Sequence, residues 1–426
     1  MPLPRTRWNL LALANVSSSA ESEFSGSTLV TTSEHLAARS RRVAVPGARP
    51  VTGPTGLRIA LVCDWFVPRL GGIELHLRDL SHRLTGEGHD VQVITSTPGE
   101  DSVEGIRVHR LRASRLPGAS VVYTRGALLE IEHLIRRERY DVVHCHVSIV
   151  SPVALAAARA AYHAGVPAVI TYHSAIPALV PMASVVNKVL GCSRWNVVHS
   201  AVSHMVARAV RPVAGRRRIH LLPNAIDVDW WRAEPFPSDP RDVRFISVMR
   251  LNAKKRPALL IRAFQRLLTR VGSEHEPRLR IVGDGPQRPK LERLIARYHL
   301  QDHVTLLGMR RRDEIRELFR HADVFVMPAR MESFGIAALE ARSAGLPVVA
   351  MATTGIADFV MNGRDGLLAT SDRQLERCME SLVRDSLLRD EIRRHNLATP
   401  PPLGWPGVLA RHLRLYREAM GGVAAR

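Results

Sequence analysis

Twice along this chain, short apolar runs alternate with longer stretches in which apolar residues recur every three or four positions. The first series opens with LRIALVCDW at residue 57. It continues through GGIELHLRDLSHRL, DVQVITS, RGALLEIEHLIRRERY, DVVHCH, SPVALAAARAAYHAG and PAVITYH to RRIHLLPN, which ends at residue 224. A run such as RIALVC has no polar alternation, so it suits a strand buried on both faces. The stretches between have helical spacing. Strand and helix in alternation give a parallel sheet with helices on both faces, because parallel neighbours need a crossover connection. Residues 226–242, IDVDWWRAEPFPSDPRD, break the rhythm with prolines and acidic residues and read as a linker. A second series runs from VRFISVMR at 243 to PVVAMA at 352. The proline cluster ATPPPLG (398–404) ends that half, and a last helix, WPGVLARHLRLYREAM, follows. The expected fold class is α/β, with two Rossmann-like doubly wound domains at 57–225 and 243–400 facing across a cleft. Ligands in such sheets bind beyond the carboxyl ends of the strands. Residues 1–56 lack periodicity and read as a disordered extension, or as a start codon assigned too early.

A formal charge of +20 and a pI near 11.1 call for an anionic partner: nucleic acid, an anionic membrane surface or a phosphorylated ligand. Only four of the 60 basic residues are lysine, which also fits GC-rich coding. A nucleic-acid-binding protein is the alternative from another class. The chain lacks a helix-turn-helix signature, zinc spacing and an aromatic-studded basic sheet, so no nucleic acid is expected. The four cysteines form no CxxC, which suits reduced thiols in a cytoplasmic protein. No apolar run reaches the ~18–20 residues needed to span a bilayer. The N-terminal apolar stretch is short and holds an asparagine, unlike a signal peptide.

Several short motifs could carry chemistry. MESFGIAALEA holds Glu332 in a loop and Glu340 about two turns into the next helix, roughly 12 Å away at helical rise. Two such carboxylates could bind separate parts of an elongated ligand through its hydroxyls. The helix start beside Ser333, Phe334 and Gly335 offers free N–H groups to an anion. The alternative is an ordinary helix start with an acid near its positive end. Arg250 and Lys255 flank a loop and can converge on one diphosphate, as fork and point charge. The alternative is solvated loop charge. Gly71 and Gly72 precede a helix and allow close backbone approach, or simply turn the chain. GDGP (283–286) is neither a dinucleotide fingerprint nor a phosphate loop. His146 and His173 stand at carboxyl ends of expected strands. Asp227 and Asp229 form a DxD within the linker, where a metal is not expected.

Together these motifs resemble the retaining, nucleotide-sugar-dependent GT-B glycosyltransferases of family 4. ESFGIAALE matches the family's E-x7-E, SVMRLNAKKRP its "GRL…K" loop, and IVGDGP its Gly-rich turn. LLPNAIDVDWW matches its "PNGVD" loop. GGIELHLRDLSHRLTGEGHDVQVIT matches its amino-terminal loop and helix, and GIADFVMNGRDGLL its "GG-PE" segment. The likeness spans about 57–420. It implies that Arg250, Lys255, Gly71, Gly72, Phe334 and Gly335 bind the donor diphosphate, and that Glu340 binds the ribose. It implies that Glu332 and His173 are the catalytic contacts at the transferred sugar, and that residues 401–426 cross back to the first domain. Two departures bear on this: Asp358 stands where relatives carry Glu, and Thr354 replaces a glycine.

The implied reaction moves a hexosyl group to an acceptor hydroxyl, with no cofactor and no metal. Arg250, Lys255 and the helix N-terminus would stabilise the leaving nucleoside diphosphate. No enzyme nucleophile stands out, unlike a retaining hydrolase with carboxylates ~5 Å apart. VCDWFVPRLGGIELHLRDLSHRL and ASVVNKVLGCSRWNVVHSAVS resemble the phosphatidylinositol N-acetylglucosaminyltransferase branch, near the phosphatidylinositol mannosyltransferases. An inositol lipid acceptor is the expectation, with a soluble inositol phosphate or glycan as the alternative. The arginines of 107–125 and the apolar 174–190 could rest on an anionic membrane, at the inner face of the plasma membrane. A GT-B sugar-nucleotide epimerase is a further alternative.

Overall fold

The computed structural model describes residues 56–69, 71–112, 125–148, 151–174, 191, 195–232, 234, 236 and 241–424. The extension up to residue 55, most of the arginine-rich segment 107–125, the apolar 175–190 and Cys192 lie outside the described residues.

Eight strands form the first sheet. They are β1 (Arg58–Cys63), β2 (Asp90–Thr95), β3 (Ser102–Val103), β4 (Ile106–Arg110), β5 (Val142–Val147), β6 (Ala168–Tyr172), β7 (Val198–Ala201) and β8 (Ile219–Leu221). Their order is β3-β4-β2-β1-β5-β6-β7-β8. Every pairing is parallel except β3 with β4, an antiparallel edge hairpin that the strand patterning did not reveal. β3 is only two residues long, too short to show a period. Around this sheet lie α1 (Gly72–Gly86), α2 (Arg125–Glu138), α3 (Pro152–Ala164) and α4 (His204–Ala214).

The second sheet contains β9 (Arg244–Val248), β10 (Arg278–Val282), β11 (Val304–Gly308), β12 (Val324–Met327), β13 (Val348–Met351) and β14 (Gly366–Ala369). Its order is β11-β10-β9-β12-β13-β14, all parallel. The short α5 (Val228–Trp231) lies in the expected linker. After it come α6 (Pro257–Val271), α7 (Arg288–Arg297), α8 (Arg312–Arg320), α9 (Ile336–Ser343), α10 (Asp372–Arg384), α11 (Ser386–Ala398) and α12 (Trp405–Ala424). Trp231 is buried and packs on Phe319 with ring centroids 5.6 Å apart, so the linker is anchored to the second half.

The period of two in β1 sorts its side chains between two cores. Ala60 and Val62 face one, Ile59 and Leu61 the other. The second of these is closed by α12, whose Trp405, Val408, Leu409, Leu415, Tyr416 and Ala419 pack with Leu77, Leu80 and Leu84 of α1. Each such buried apolar side chain contributes about 1.5–3 kcal/mol. The chain thus returns from its second half to finish the core of its first. α11 stops at Ala398 because Pro400, Pro401 and Pro402 follow and cannot continue a helix. The helix starts have local causes as well. Ser203 and Ser371 accept N–H groups of Val206 and Gln374 to cap α4 and α10. Asp64, just past β1, accepts the N–H groups of Val153 (2.9 Å) and Ala154 (3.3 Å) at the start of α3. Burial raises its pKa to about 7 against that capping.

Both sheets reverse their winding direction once, between β1 and β5 and between β9 and β12. The loops leaving those four strands are where a ligand is expected. Among the described residues no helix is long and apolar enough to cross a membrane.

Candidate active site

After β9 the chain turns through Arg250 into a 3-10 turn at Ala253–Lys255. The Asn252 side chain caps it, accepting the Lys255 N–H at 3.1 Å. The GDGP turn braces the loop, with Leu251 N–H donating to the Asp284 carbonyl at 2.9 Å. Arg256 then takes φ 59° and ψ 41°, a left-handed conformation that costs an L-residue roughly 1–2 kcal/mol. Its guanidinium is held by both carboxylate oxygens of Asp372, at 2.9 and 2.6 Å, and donates to the Pro328 carbonyl at 3.2 Å. This clamp fixes the direction of the neighbouring Lys255. Lys255 Nζ donates to Glu332 Oε2.

Arg250 reaches across the cleft to the amino-terminal glycines. A Cβ on Gly71 would lie 2.7 Å from Arg250 Nη2 and 2.3 Å from Glu74 Oε2. Arg250 and the buried Glu74 of α1 thus meet over Gly71, and no side chain fits between them. Gly72 faces Ile336, the first residue of α9. Sequence reasoning passed over Glu74; its signal was an acid in the first turn of a helix, on the face that carries Leu77, Leu80 and Leu84.

Gly335 opens α9 with φ 89°, and a Cβ there would come within 2.6 Å of Ile356. Phe334 is buried against Phe359, with centroids 5.3 Å apart. The left-handed residue delays the helix to Ile336. Glu340 accordingly sits one turn into α9, not two, and the all-helical 12 Å spacing does not apply. Glu340 is 7% exposed. Burial pushes its carboxyl up to about 8; Arg312 works against this and Asp79 with it. Those two residues form an ion pair between the halves, Arg312 Nη1 to Asp79 Oδ2 at 2.6 Å.

His173, just past β6, is 4% exposed. Burial drives its pKa down to about 3, helped by His412, while the Asn224 side chain beside it resists. The ring is neutral near pH 7. Its Nε2 lies 2.9 Å from His146 Nδ1. Around this pair lie the buried rings of His76, His144 and His412, all with lowered pKa from burial. His144 was not singled out from sequence. The H-x-H of DVVHCH carried the signal, since i and i+2 share one face of a strand. His76 and His412 come from α1 and α12 and have no such pattern.

The departures from the family pattern have structural employment. Asp358 Oδ2 accepts the His204 N–H at the start of α4 at 2.7 Å. Next to it Ser203 Oγ donates to the Ser333 carbonyl at 2.6 Å, tying α4 to the Glu332 loop. The Thr354 hydroxyl turns inward to the Met351 carbonyl. Asp227 is the N-cap of α5, accepting the Trp230 N–H at 3.1 Å, and its other oxygen pairs with Arg83.

Two doubly wound α/β units, their sheets parallel except at the β3–β4 edge, make the GT-B glycosyltransferase fold. The chain belongs to family 4 of that class: the model of "Glycosyltransferase Family 4" matches residues 70–230, and that of "Glycosyl transferases group 1" matches 232–398. It is 28% identical over 342 residues to the phosphatidylinositol N-acetylglucosaminyltransferase gpi3 subunit of Schizosaccharomyces pombe, covering 77% of this chain and 73% of that protein. It is 27% identical over 396 residues to the D-inositol 3-phosphate glycosyltransferase of Pseudarthrobacter chlorophenolicus, covering 82% and 91%. Among solved structures, Anabaena Alr3699/HepE in complex with UDP and glucose superposes with a TM-score of 0.67 at 19% identity, covering 85% of this chain and 99% of that one. The protein is a glycosyltransferase.

Proposed function

We propose that this enzyme is a retaining, metal-independent hexosyltransferase. It moves a sugar from a nucleoside diphosphate sugar to a hydroxyl of an inositol lipid. The amino-terminal half, 57–225, takes the acceptor and the half at 243–400 takes the donor. Arg250, Lys255 and the backbone N–H groups at Phe334, Gly335 and the α9 start receive the diphosphate, with Gly71 and Gly72 closing over it. Glu340 takes the ribose, Glu332 the sugar, and His173 lies at the reacting centre.

The observation that carries the reading is the approach of Arg250 to Gly71. A cation of the 243–400 half meets the amino-terminal half over the bare backbone of Gly71, so a diphosphate that displaces the Glu74 carboxylate from this point would touch both halves. Charge that develops on the departing diphosphate is met by Arg250 and by Lys255, which must leave or share Glu332. The acceptor hydroxyl attacks from the side the diphosphate leaves, and the diphosphate takes its proton.

The similarity to the D-inositol 3-phosphate glycosyltransferase favours a second reading, a soluble inositol phosphate acceptor. A basic chain peripheral to an anionic membrane at the cytoplasmic face suits the lipid reading. The test is a donor panel of UDP-Glc, UDP-GlcNAc and GDP-Man, read by nucleoside diphosphate release with inositol phosphate or with inositol-lipid vesicles. Transfer to vesicles supports the lipid; transfer to the soluble acceptor alone refutes it. Isomerised nucleotide sugar without a glycoside would refute transfer altogether.

A further inference from the structure

The imidazole layer under the reaction centre is wired to the C-terminal helix. His144 Nδ1 lies 2.9 Å from the Tyr416 hydroxyl and its Nε2 2.6 Å from Thr171 Oγ1. Thr171 Oγ1 lies 2.7 Å from Ser200 Oγ, which donates to the Ile170 carbonyl at 3.2 Å. All four polar side chains in this chain of contacts are buried.

With every one of these contacts formed at once, counting protons leaves one consistent direction for each. A carbonyl only accepts, so Ser200 gives its one proton to Ile170. Thr171 must then donate to Ser200, which leaves its oxygen to accept from His144. His144 therefore carries its proton on Nε2 and presents a lone pair at Nδ1. Tyr416 is the only donor facing that lone pair among the described residues. The His144 ring, fixed at both nitrogens, packs against His146 with centroids 4.0 Å apart and planes inclined by 36°.

The same count applies to the neighbouring pair. His146 Nδ1 and His173 Nε2 share one proton at 2.9 Å. One ring of this pair therefore donates to the other, and both must hold complementary tautomers for the contact to form. A swing or flip of His146 breaks this contact, and the ring lies against the His144 face. His173 Nδ1 and Asn224 Oδ1 are both buried without a hydrogen-bond partner.

We propose that Tyr416 of α12 is a positioning residue for glycosyl transfer: it locks His144, which seats the His146–His173 pair in one tautomeric arrangement. This rests on the reading that His173 lies at the reacting centre. Four elements meet in the layer: α1 with His76, β5 with His144 and His146, the end of β6 with His173, and α12 with His412 and Tyr416. His412 is committed elsewhere, its Nδ1–H donating to the Val408 carbonyl of its own helix at 2.9 Å.

Tyr416→Phe removes the hydroxyl and keeps the packing. In the full chain labelled with 15N-histidine, assigned with His144→Gln and His173→Gln, the wild type is expected to show His144 protonated at Nε2 and His173 in a single tautomer. Tyr416→Phe is expected to move the His144, His146 and His173 signals. It should lower kcat about five- to tenfold, as one hydrogen bond allows, with KM for the donor unchanged. A merely structural tyrosine would lower thermal stability and leave that split and the His173 signals alone, and this result overturns the proposal. Should the variant fold poorly, wild-type His144 protonated at Nδ1 overturns it equally. Undiminished transfer by His173→Asn would instead strike the reading of His173, and with it the catalytic half of the proposal, while the tautomers still test the coupling.

Discussion

Glu340→Gln should make the protein more stable and a worse binder of its donor. The carboxyl lies at the core end of α9, and burial raises its pKa from 4.5 to about 8. The folded protein therefore holds a proton there that the unfolded chain releases. Such a group contributes stability below pH 4.5 and loses it progressively as pH rises toward 8. The linkage integral gives a cost of about 3 kcal/mol at pH 7 and about 1 kcal/mol at pH 5. Glutamine has the same shape and does not titrate, so the cost disappears. For a unit of 150–250 residues the gain corresponds to roughly 6–12 °C in the melting of the half at 243–400 at pH 7. Calorimetry of wild type and variant at pH 7 and pH 5 checks both numbers. Nucleotide affinity, titrated in parallel, should fall about three- to tenfold, as expected for a weakened neutral hydrogen bond to a ribose hydroxyl. A stability gain equal at the two pH values, or none, would refute the linkage argument. Unchanged nucleotide affinity would remove Glu340 from the ribose.

Two further outcomes follow from the same geometry. Lys255→Ala should lower kcat about 10²–10³-fold, because it withdraws one charge from the leaving diphosphate; nucleoside diphosphate release measures this, and full activity would end the clamp assignment. His412→Gln should blunt acid sensitivity: a histidine held near pKa 4 when folded costs the wild type about 2 kcal/mol between pH 7.5 and pH 5, as the unfolded chain takes up the proton. Urea unfolding at both values should show that much less loss in the variant.

The doubly wound architecture was legible because strands buried on both faces leave no polar alternation to confuse. RIALVC and VFVM announce themselves. The β3–β4 hairpin was not legible, since a two-residue strand has no period. The loops at the switch points were legible as positions, and the resemblance supplied their assignments. Which atoms face which was not. Lys255 pairs with Glu332 because Arg256, locked in a left-handed conformation by Asp372 116 residues away, aims it there. Glu74 and Arg250 meet across the cleft over a bare backbone. The histidine layer draws on four elements spread from residue 76 to residue 416, a convergence that only the return of α12 creates.

That return sets an order of events in the making of the protein. β8 ends at Leu221, yet the core it belongs to stays open until Trp405–Ala424 arrives. At about 5–20 residues per second, a ribosome needs roughly 10–40 s to cover that interval. Through that time His144 has no phenol to meet and the inner face of α1 has no cover. The first half to be synthesised is thus the last to be finished, and the half at 243–400 can fold before the amino-terminal half is complete.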